Sequence, residues 1–171
     1  GWYKGYLKEY KNKIYYFKLY YNRIDIGFTQ LIEFDPVEKK EKVIADLNNS
    51  ISSPIQIQNG QIYYTVKEVD GGYSNVSNWG YTSILYSMDI NTGKRKEIYT
   101  DDIRAFCIFN NGDILYSKDQ KHHFGSELWK YSNGEKHKIG DTDQLISELE
   151  AGDAGVFVVS RTDFENWNIN Q

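Results

Sequence analysis

The chain has 171 residues, with 20 basic against 24 acidic side chains and a formal net charge of −4. Its length suits one ordinary domain with a core of its own. The 40% apolar content excludes a disordered tail, and no stretch approaches the roughly 18 apolar residues of a membrane-spanning helix. A pI near 5.4 without a basic cluster argues against nucleic-acid binding. We therefore expect no nucleic-acid partner and no membrane insertion of this segment.

The composition favours twisted β-sheet. Aromatic residues make up 16% of the chain, and there are 14 glycines but only 2 prolines. The single cysteine, Cys107, excludes an internal disulfide framework and any metal site with several cysteines.

Two short motifs recur along the chain. The first lies at Asn12–Tyr16, Asn59–Tyr64 and Asn111–Tyr116, with a weaker copy at Ala154–Val158, and its equivalent residues are 48, 52 and 42 positions apart. The second lies at Leu31–Asp35, Leu85–Asp89 and Leu128–Ser132, at spacings of 54 and 43. Such periods without a helical pattern are typical of a β-propeller. A β-sandwich or an irregular β-meander is the alternative.

Each complete unit is predicted to contain four strands. In the second unit we predict them at Pro54–Gln58, Gln61–Val69, Ser83–Ile90 and Arg95–Thr100. In the third unit we predict them at Ala105–Phe109, Asp113–Ser117, Glu127–Tyr131 and Glu135–Ile139. Asn-Gly between such runs predicts tight hairpins, because type I′ turns need a positive φ at both central residues.

The fold class predicted is all-β, a propeller of four-stranded antiparallel blades with about three and a half blades present. The chain as a whole, 1–171, is predicted to be one partial propeller with blades at 1–49, 50–100, 101–141 and 143–171. The last blade supplies only two strands, and a two-stranded remnant is marginally stable alone. We therefore expect the missing strands, and the remaining blades, to come from the same or another chain.

The longest predicted connections all join the second strand of a blade to the third. They lie at Tyr20–Thr29, Asp70–Thr82, Lys118–Ser126 and Arg161–Gln171, and they are rich in aromatic and charged residues. Binding residues usually lie on lengthened loops of a rigid scaffold. The predicted ligand-binding residues are Arg23, Asp70, Tyr73, Trp79, Tyr81, His122, His123, Phe124, Arg161 and Trp167. The alternative is that the aromatic residues, Trp167 above all, pack the loops onto the blades.

No motif in the sequence indicates catalysis, a cofactor or a metal. The adjacent histidines at 122 and 123 point apart on an extended chain, and neither Asp70-Gly71-Gly72 nor Asp141-Thr142-Asp143 continues into a calcium loop. Cys107 is predicted to be a buried hydrophobic residue. We therefore predict no catalytic residue, no cofactor and no metal site. Carboxylates of a glycoside hydrolase come from separate loops, so Asp70, Asp119 and Asp163 stay the nearest candidates for that chemistry.

The repeated motif resembles the TolB-like β-propellers. The resemblance is carried by Asn59–Tyr64 and Leu85–Lys94 and extends over nearly the whole chain. It is nearest to uncharacterised domains of secreted or lipid-anchored proteins in low-GC Gram-positive bacteria. It implies a ring of six to eight blades, of which this chain would be a part, and it supplies no catalytic residue.

These observations favour a non-catalytic interaction module that presents a surface for a peptide, a glycan or a protein partner. The alternatives are the propeller portion of a larger enzyme, such as a serine peptidase or a glycan-active enzyme, and a purely structural fragment. The resemblance and two glycosylation sequons, at Asn48 and Asn75, lead us to expect an extracellular or cell-surface location, with a cytoplasmic one left open.

Overall fold

The structure, a computed structural model, describes residues 2–21, 26–47, 51, 53–69, 81–120, 124–152 and 155–161. These residues form fourteen β-strands and, within the same ranges, no helix. Accordingly, no helix that could cross a membrane occurs in the described part of the chain.

Three sheets are antiparallel meanders of four strands in chain order, and a fourth sheet has two strands. The first sheet contains β1 (Trp2–Tyr10), β2 (Lys13–Tyr21), β3 (Ile26–Asp35) and β4 (Lys40–Leu47). The second contains β5 (Gln56–Gln58), β6 (Gln61–Val69), β7 (Tyr81–Asp89) and β8 (Arg95–Asp101). The third contains β9 (Ala105–Ile108), β10 (Ile114–Asp119), β11 (Ser126–Ser132) and β12 (Glu135–Thr142). The last contains β13 (Leu145–Gly152) and β14 (Gly155–Arg161), so the predicted fold class is confirmed.

The chain divides into two compact units. Unit 1, Gly1–Ile103, holds the first two sheets, and unit 2, Arg104–Gln171, holds the third sheet and the hairpin β13–β14. That both units belong to one propeller stays a prediction.

Several strand ends differ from the prediction. β5 begins at Gln56 and not at Pro54, which is expected because proline has no N–H to donate to a β-ladder. β12 continues to Thr142, three residues past its predicted end at Ile139, because a bulge absorbs one residue and lets the pairing with β11 continue.

The hairpin turns follow the sequence in two of the three Asn-Gly copies. Asn59-Gly60 has φ values of 51° and 75°, and Asn133-Gly134 has 53° and 85°, as a type I′ turn requires. In the third copy only Gly112 has a positive φ. There the N–H of Gly112 donates to the carbonyl of Phe109 over 2.8 Å, which closes a wider loop than the predicted two-residue turn.

The fourth strand of every complete sheet carries a bulge at an isoleucine. In the first sheet Leu31 and Ile32 pair with Ala45 and Val43, which leaves Ile44 as the extra residue. The corresponding shifts leave Ile98 extra on β8 and Ile139 extra on β12. A bulge at the same position of three sheets is a structural repeat that supports the internal repetition seen in the sequence.

The core of unit 1 lies between its two sheets. Phe17, Leu19 and Leu31 of the first sheet pack with side chains of the second, which include Ile62, Tyr64, Val66, Met88 and Ile90. Burying each such side chain stabilises the fold by about 1.5–3 kcal/mol. The bulge residue Ile44 packs against this core, and its carbonyl oxygen approaches Gly93 in the turn between β7 and β8.

The core of unit 2 is smaller and lies under the first strand of the last hairpin. Ala105 and Cys107 of β9 pack with Ile146 and Leu149 of β13. The Ser126 hydroxyl accepts a hydrogen bond of 2.9 Å from the N–H of Ile146. These contacts hold β13 over the first strands of the third sheet.

Candidate functional site

Most of the predicted binding residues lie outside the described part of the chain, namely Arg23, Asp70, Tyr73, Trp79, His122, His123 and Trp167. Tyr81 and Arg161 belong to strands β7 and β14 and not to loops, and only their backbone is described. Phe124 is described, and 38% of its surface is exposed. The ligand-binding role of all ten residues therefore stays a prediction.

The second-to-third connections are less uniform than predicted. The first comprises only residues 22–25, because β2 and β3 pair as far as Tyr21 and Ile26, so the predicted ten-residue loop at Tyr20–Thr29 is wrong. Aromatic and β-branched residues favour strands, and residues such as Phe28 extend β3 into the segment that was predicted to be a loop. The other two span 70–80 and 120–125. The connections at 70–80 and 120–125 are thus longer than the first, and residues 162–171 of the fourth predicted connection lie outside the described ranges.

The connection at 120–125 is anchored at both of its ends. The Gln120 N–H donates to the carbonyl of Gly125 over 3.1 Å, and the Gln120 side chain donates to the carbonyl of Thr142, also over 3.1 Å. Next to it, Arg104 Nη1 lies 2.5 Å from a carboxylate oxygen of Asp119. Of the three carboxylates considered for glycoside hydrolysis, Asp119 is the one that the structure describes, and it is held in this ion pair. Phe124 is therefore presented on a loop whose base is fixed.

Ion pairs also hold the carboxylates with the largest described pKa shifts. Glu41 lies 2.7 Å from Lys4 Nζ and 3.2 Å from Lys18 Nζ and accepts a hydrogen bond from the Tyr16 hydroxyl. The Lys4 ammonium, followed by the Tyr16 hydroxyl, lowers the pKa of Glu41 to about 2. The Lys4 ammonium also lies 4.8 Å from the centre of the Tyr16 ring. This cluster covers Tyr16, an aromatic residue on the face of the first sheet opposite the core of unit 1.

Asp113 and Asp35 are held in the same way. Lys130 Nζ lies 2.6 Å from Asp113, and Lys130, then Ser132, lowers the pKa of the Asp113 carboxyl to about 2. The Lys13 ammonium, followed by the N–H of Glu38, lowers the pKa of Asp35 to about 2. General acids need a raised pKa, so the lowered pKa values of these carboxyl groups suit ion pairing and not proton donation.

Acidification is expected to destabilise the protein through these three carboxylates. Their pKa values are about 2 in the folded chain and near 4 when unfolded. A depressed pKa contributes stability that is present above about pH 4 and is lost as the pH falls towards 2. The urea concentration at the unfolding midpoint should therefore decrease as the pH is lowered from 6 to 2.5. The Asp113→Asn variant should lose less over the same interval, and an equal loss in both proteins would contradict the prediction.

Cys107 is expected to be unreactive in the folded protein. Its side chain is fully buried, and burial, followed by the nearby Glu150, raises the pKa of the thiol from 9.0 to about 11. That shift leaves about 100-fold less thiolate at pH 8. A disulfide reagent such as DTNB should label the chain only after denaturant unfolds it. Rapid stoichiometric labelling of the folded chain would show that β9 is not buried as described.

No group of three or more histidine, cysteine, aspartate or glutamate side chains able to hold a metal occurs among the described residues. Asp141, in the predicted fragment of a calcium loop, lies 2.7 Å from Lys138 Nζ. The histidine pair at 122 and 123 falls outside the described ranges.

A groove of about 240 Å³ opens in unit 2 beside the last hairpin. Leu128 and Ile139 of the third sheet line it on one side, and Val158 and Ser160 of β14 line it on the other. Ile139 and Val158 are 57% and 50% exposed, although both are aliphatic. None of these residues was predicted to line a site. The signal available was the uncharged run at 156–159 within β14, whereas the fourth strands β4, β8 and β12 all begin with charged residues.

No protein-family model matches this chain, and no curated protein matches it in sequence. Solved structures do match its fold. The acylaminoacyl peptidase of Pyrococcus horikoshii matches 79% of this chain and 24% of its own, with a TM-score of 0.52 and 11% identity. TolB from Acinetobacter baumannii matches 91% of this chain and 36% of its own, with a TM-score of 0.52 and 15% identity.

The chain thus spans only about a quarter to a third of the length of these two proteins. At such identities the likeness concerns the fold alone. It agrees with the three antiparallel meanders and the two-stranded remnant described above. The chain has the fold of β-propeller blades, and TolB is among the propellers that it resembles.

Proposed function

We propose that this chain is a non-catalytic interaction module, which binds a peptide, a glycan or a protein partner through the connections between the second and third strands of its sheets. The observation that carries the proposal is the connection at 120–125, whose described ends are anchored by hydrogen bonds and include the partly exposed ring of Phe124. Partly exposed aromatic residues on a fixed scaffold are typical of binding surfaces.

The chemistry of the described polar groups supports binding in preference to catalysis. The carboxylates with the largest pKa shifts are lowered by lysine partners, which suits ion pairing and not proton transfer. The thiol of Cys107 is buried and has a raised pKa, which makes it a poor nucleophile. A function that needs only a rigid scaffold and exposed loops is compatible with all of these groups.

The test is a screen of the labelled chain against peptide and glycan arrays, followed by affinity measurement with the best ligand. Phe124→Ala and Trp79→Ala should each weaken that ligand about tenfold or more, as expected for central aromatic contacts. The matched control is Phe157→Ala. That residue is a 68% exposed aromatic in the same unit as Phe124, near the first-to-second turn of its sheet. Equal effects of Phe124→Ala and Phe157→Ala, or a screen without any ligand, would refute the proposal.

The alternative is that the chain is the propeller portion of a larger enzyme. The fold that it shares with the acylaminoacyl peptidase of Pyrococcus horikoshii supports this alternative. Under this alternative the chain alone would bind no ligand on the arrays, and it would change the activity of a catalytic domain joined to it. A purely structural fragment would do neither. An extracellular or cell-surface location, and an origin in low-GC Gram-positive bacteria, stay predictions from the sequence resemblance.

A further inference from the structure

The hydroxyl group of Tyr64 is buried without a hydrogen-bond partner. Tyr64 lies on β6 in the core of unit 1, and its side chain is fully buried. Among the described residues, its hydroxyl oxygen is the one buried side-chain polar atom that lacks a hydrogen-bond partner. A buried tyrosine hydroxyl normally finds such a partner, because an unsatisfied polar group destabilises the folded chain. This O–H group is therefore a donor for which the described residues supply no acceptor.

Two further side chains continue from Tyr64 along the same face of the second sheet. The Tyr86 ring of β7 stacks on the Tyr64 ring, with 5.9 Å between the ring centres and 26° between the ring planes. The guanidinium of Arg95, the first residue of β8, lies over the Tyr86 ring at 4.5 Å from its centre. Tyr64 pairs directly with Tyr86, and Arg95 pairs with Met88, two residues further along β7. Residues two apart on a strand point to the same face, so the three side chains lie side by side.

Arg95 has no carboxylate partner in the described part of the chain. Arg104, the other arginine whose side chain is described, forms an ion pair with Asp119. Arg95, in contrast, is exposed and contacts the Tyr86 ring, and no described carboxylate lies within ion-pair distance of it. A guanidinium that rests on an aromatic ring can still present its N–H groups to a planar acceptor such as a carboxylate.

The Tyr64 hydroxyl and the Arg95 guanidinium are neighbours. Burial raises the pKa of the Tyr64 hydroxyl to about 12, and the positive charge of Arg95 beside it opposes that rise. Both groups donate hydrogen bonds, so the Tyr64 O–H proton still lacks an acceptor when the guanidinium lies next to it. The two donors therefore converge on one place without an anion between them.

We infer that Tyr64 and Arg95 form a binding site for a carboxylate, supplied by an acidic side chain of a peptide. One carboxylate oxygen accepts from the Arg95 guanidinium, and the other accepts from the Tyr64 hydroxyl. Because that hydroxyl is buried in the chain alone, the exposed Arg95 side chain turns aside as the ligand enters. The same core supplies the apolar and aromatic side chains of Phe17, Tyr86 and Met88. A sugar acid would bury hydroxyl groups there without partners, whereas the methylene groups of a glutamate side chain fit.

This site is separate from the loop surface of the proposed function. It lies in unit 1, at the end of the second sheet that holds the turn between β7 and β8. The connection at 70–80 leaves the sheet at the opposite end, where Val69 pairs with Tyr81. Either proposal can therefore fail without the other.

The test is an NMR titration of the full ¹⁵N-labelled chain with N-acetylglutamate N-methylamide, which presents one carboxylate on a side chain. The chain has four arginines and therefore four Nε–H signals, and Arg95→Lys assigns the Arg95 signal by its loss. That signal should move and saturate with a dissociation constant of about 1–10 mM, as expected for a single charge-assisted contact. N-acetylglutamine N-methylamide, the neutral counterpart of the probe, should leave it unmoved.

Tyr64→Phe distinguishes this site from a structural role of the hydroxyl. It removes one oxygen atom, so it should weaken the probe about fivefold or more without lowering the urea midpoint of the chain alone. Tyr15→Phe is the matched control, because the Tyr15 hydroxyl donates to Glu33 over 3.1 Å in the same unit. That variant should lower the urea midpoint and leave probe binding unchanged.

A second pair of variants tests the charge, with backbone amide signals as the readout. Arg95→Gln should weaken the probe about tenfold or more, because it removes the charged partner of the carboxylate. Lys96→Gln removes the same charge from the next residue of β8, which is exposed and points to the opposite face, and it should leave binding unchanged.

Four results would overturn the proposal. The first is the absence of saturation, and the second is an equal movement with the neutral probe. The third is a lower urea midpoint for Tyr64→Phe, or unchanged probe binding by it, since the hydroxyl would then have a structural partner or no part in the site. The fourth is tighter binding of methyl glucuronide than of the glutamate probe, which would identify a glycan as the source of the carboxylate.

Discussion

Replacing Phe17 by alanine is expected to lower the free energy of unfolding of unit 1 by about 3–5 kcal/mol. Phe17 is fully buried in the core between the two sheets. Its ring meets Tyr64 of the second sheet edge to face at 5.6 Å and Tyr6 of β1 at 6.4 Å. The truncation removes both ring contacts and leaves a cavity that rigid strands on either side cannot close.

Val43→Ala is the matched control for this prediction. Val43 belongs to the same sheet, but it pairs with Ile32 and not with the Leu31 that faces the core beside Phe17, and 47% of its surface is exposed. We expect it to cost less than about 1 kcal/mol. Urea unfolding followed by tryptophan fluorescence gives both values. A loss below about 1.5 kcal/mol for Phe17→Ala would mean that the two sheets do not share a tight core.

The strands of this fold were predictable because their signals are local. The hairpin glycines at 60 and 134 have a positive φ, which the Asn-Gly pairs in the sequence predict. The strand β6 begins and ends at the predicted residues. The Asn111-Gly112 turn was predicted wrongly, because Asn-Gly also fits a wider loop in which only the glycine has a positive φ. Bulges escaped prediction altogether. In the sequence, a bulge isoleucine that has no partner in the ladder, such as Ile44, cannot be distinguished from an isoleucine that pairs with the neighbouring strand.

The loop surface of the proposed function and the groove of unit 2 differ in what the sequence could reveal. Aromatic residues in predicted loops, such as Phe124, can be recognised in the sequence. Some residues assigned to loops nevertheless belong to strands, among them Tyr81. The groove depends on contacts between strands that are distant in the chain, namely β12 and β14. Only the comparison of Ile139 with Ile44 shows that one bulge is covered and the other exposed.

Gly125→Ala is expected to lower the free energy of unfolding of unit 2 by about 2–5 kcal/mol. An added Cβ would lie 2.2 Å from the carbonyl oxygen of Thr142 and 3.2 Å from the Cα of Asp143. Both are backbone atoms, which a rotamer change cannot move aside. The φ of Gly125 is also +141°, in a region that side chains of L-residues rarely adopt. The cost therefore combines a steric clash with backbone strain.

Two control variants separate these contributions. Gly134 has a φ of +85° with open space around it, so Gly134→Ala should cost only the strain of about 1–2 kcal/mol. Gly140 lies in open space on β12 without a positive φ, so Gly140→Ala should change stability by less than about 0.5 kcal/mol. If Gly125→Ala costs no more than Gly134→Ala, the loop base moves freely away from Thr142. Gly125 lies between Phe124 and the first residue of β11, Ser126. Phe124 would then lose the fixed position on which its proposed role in binding depends.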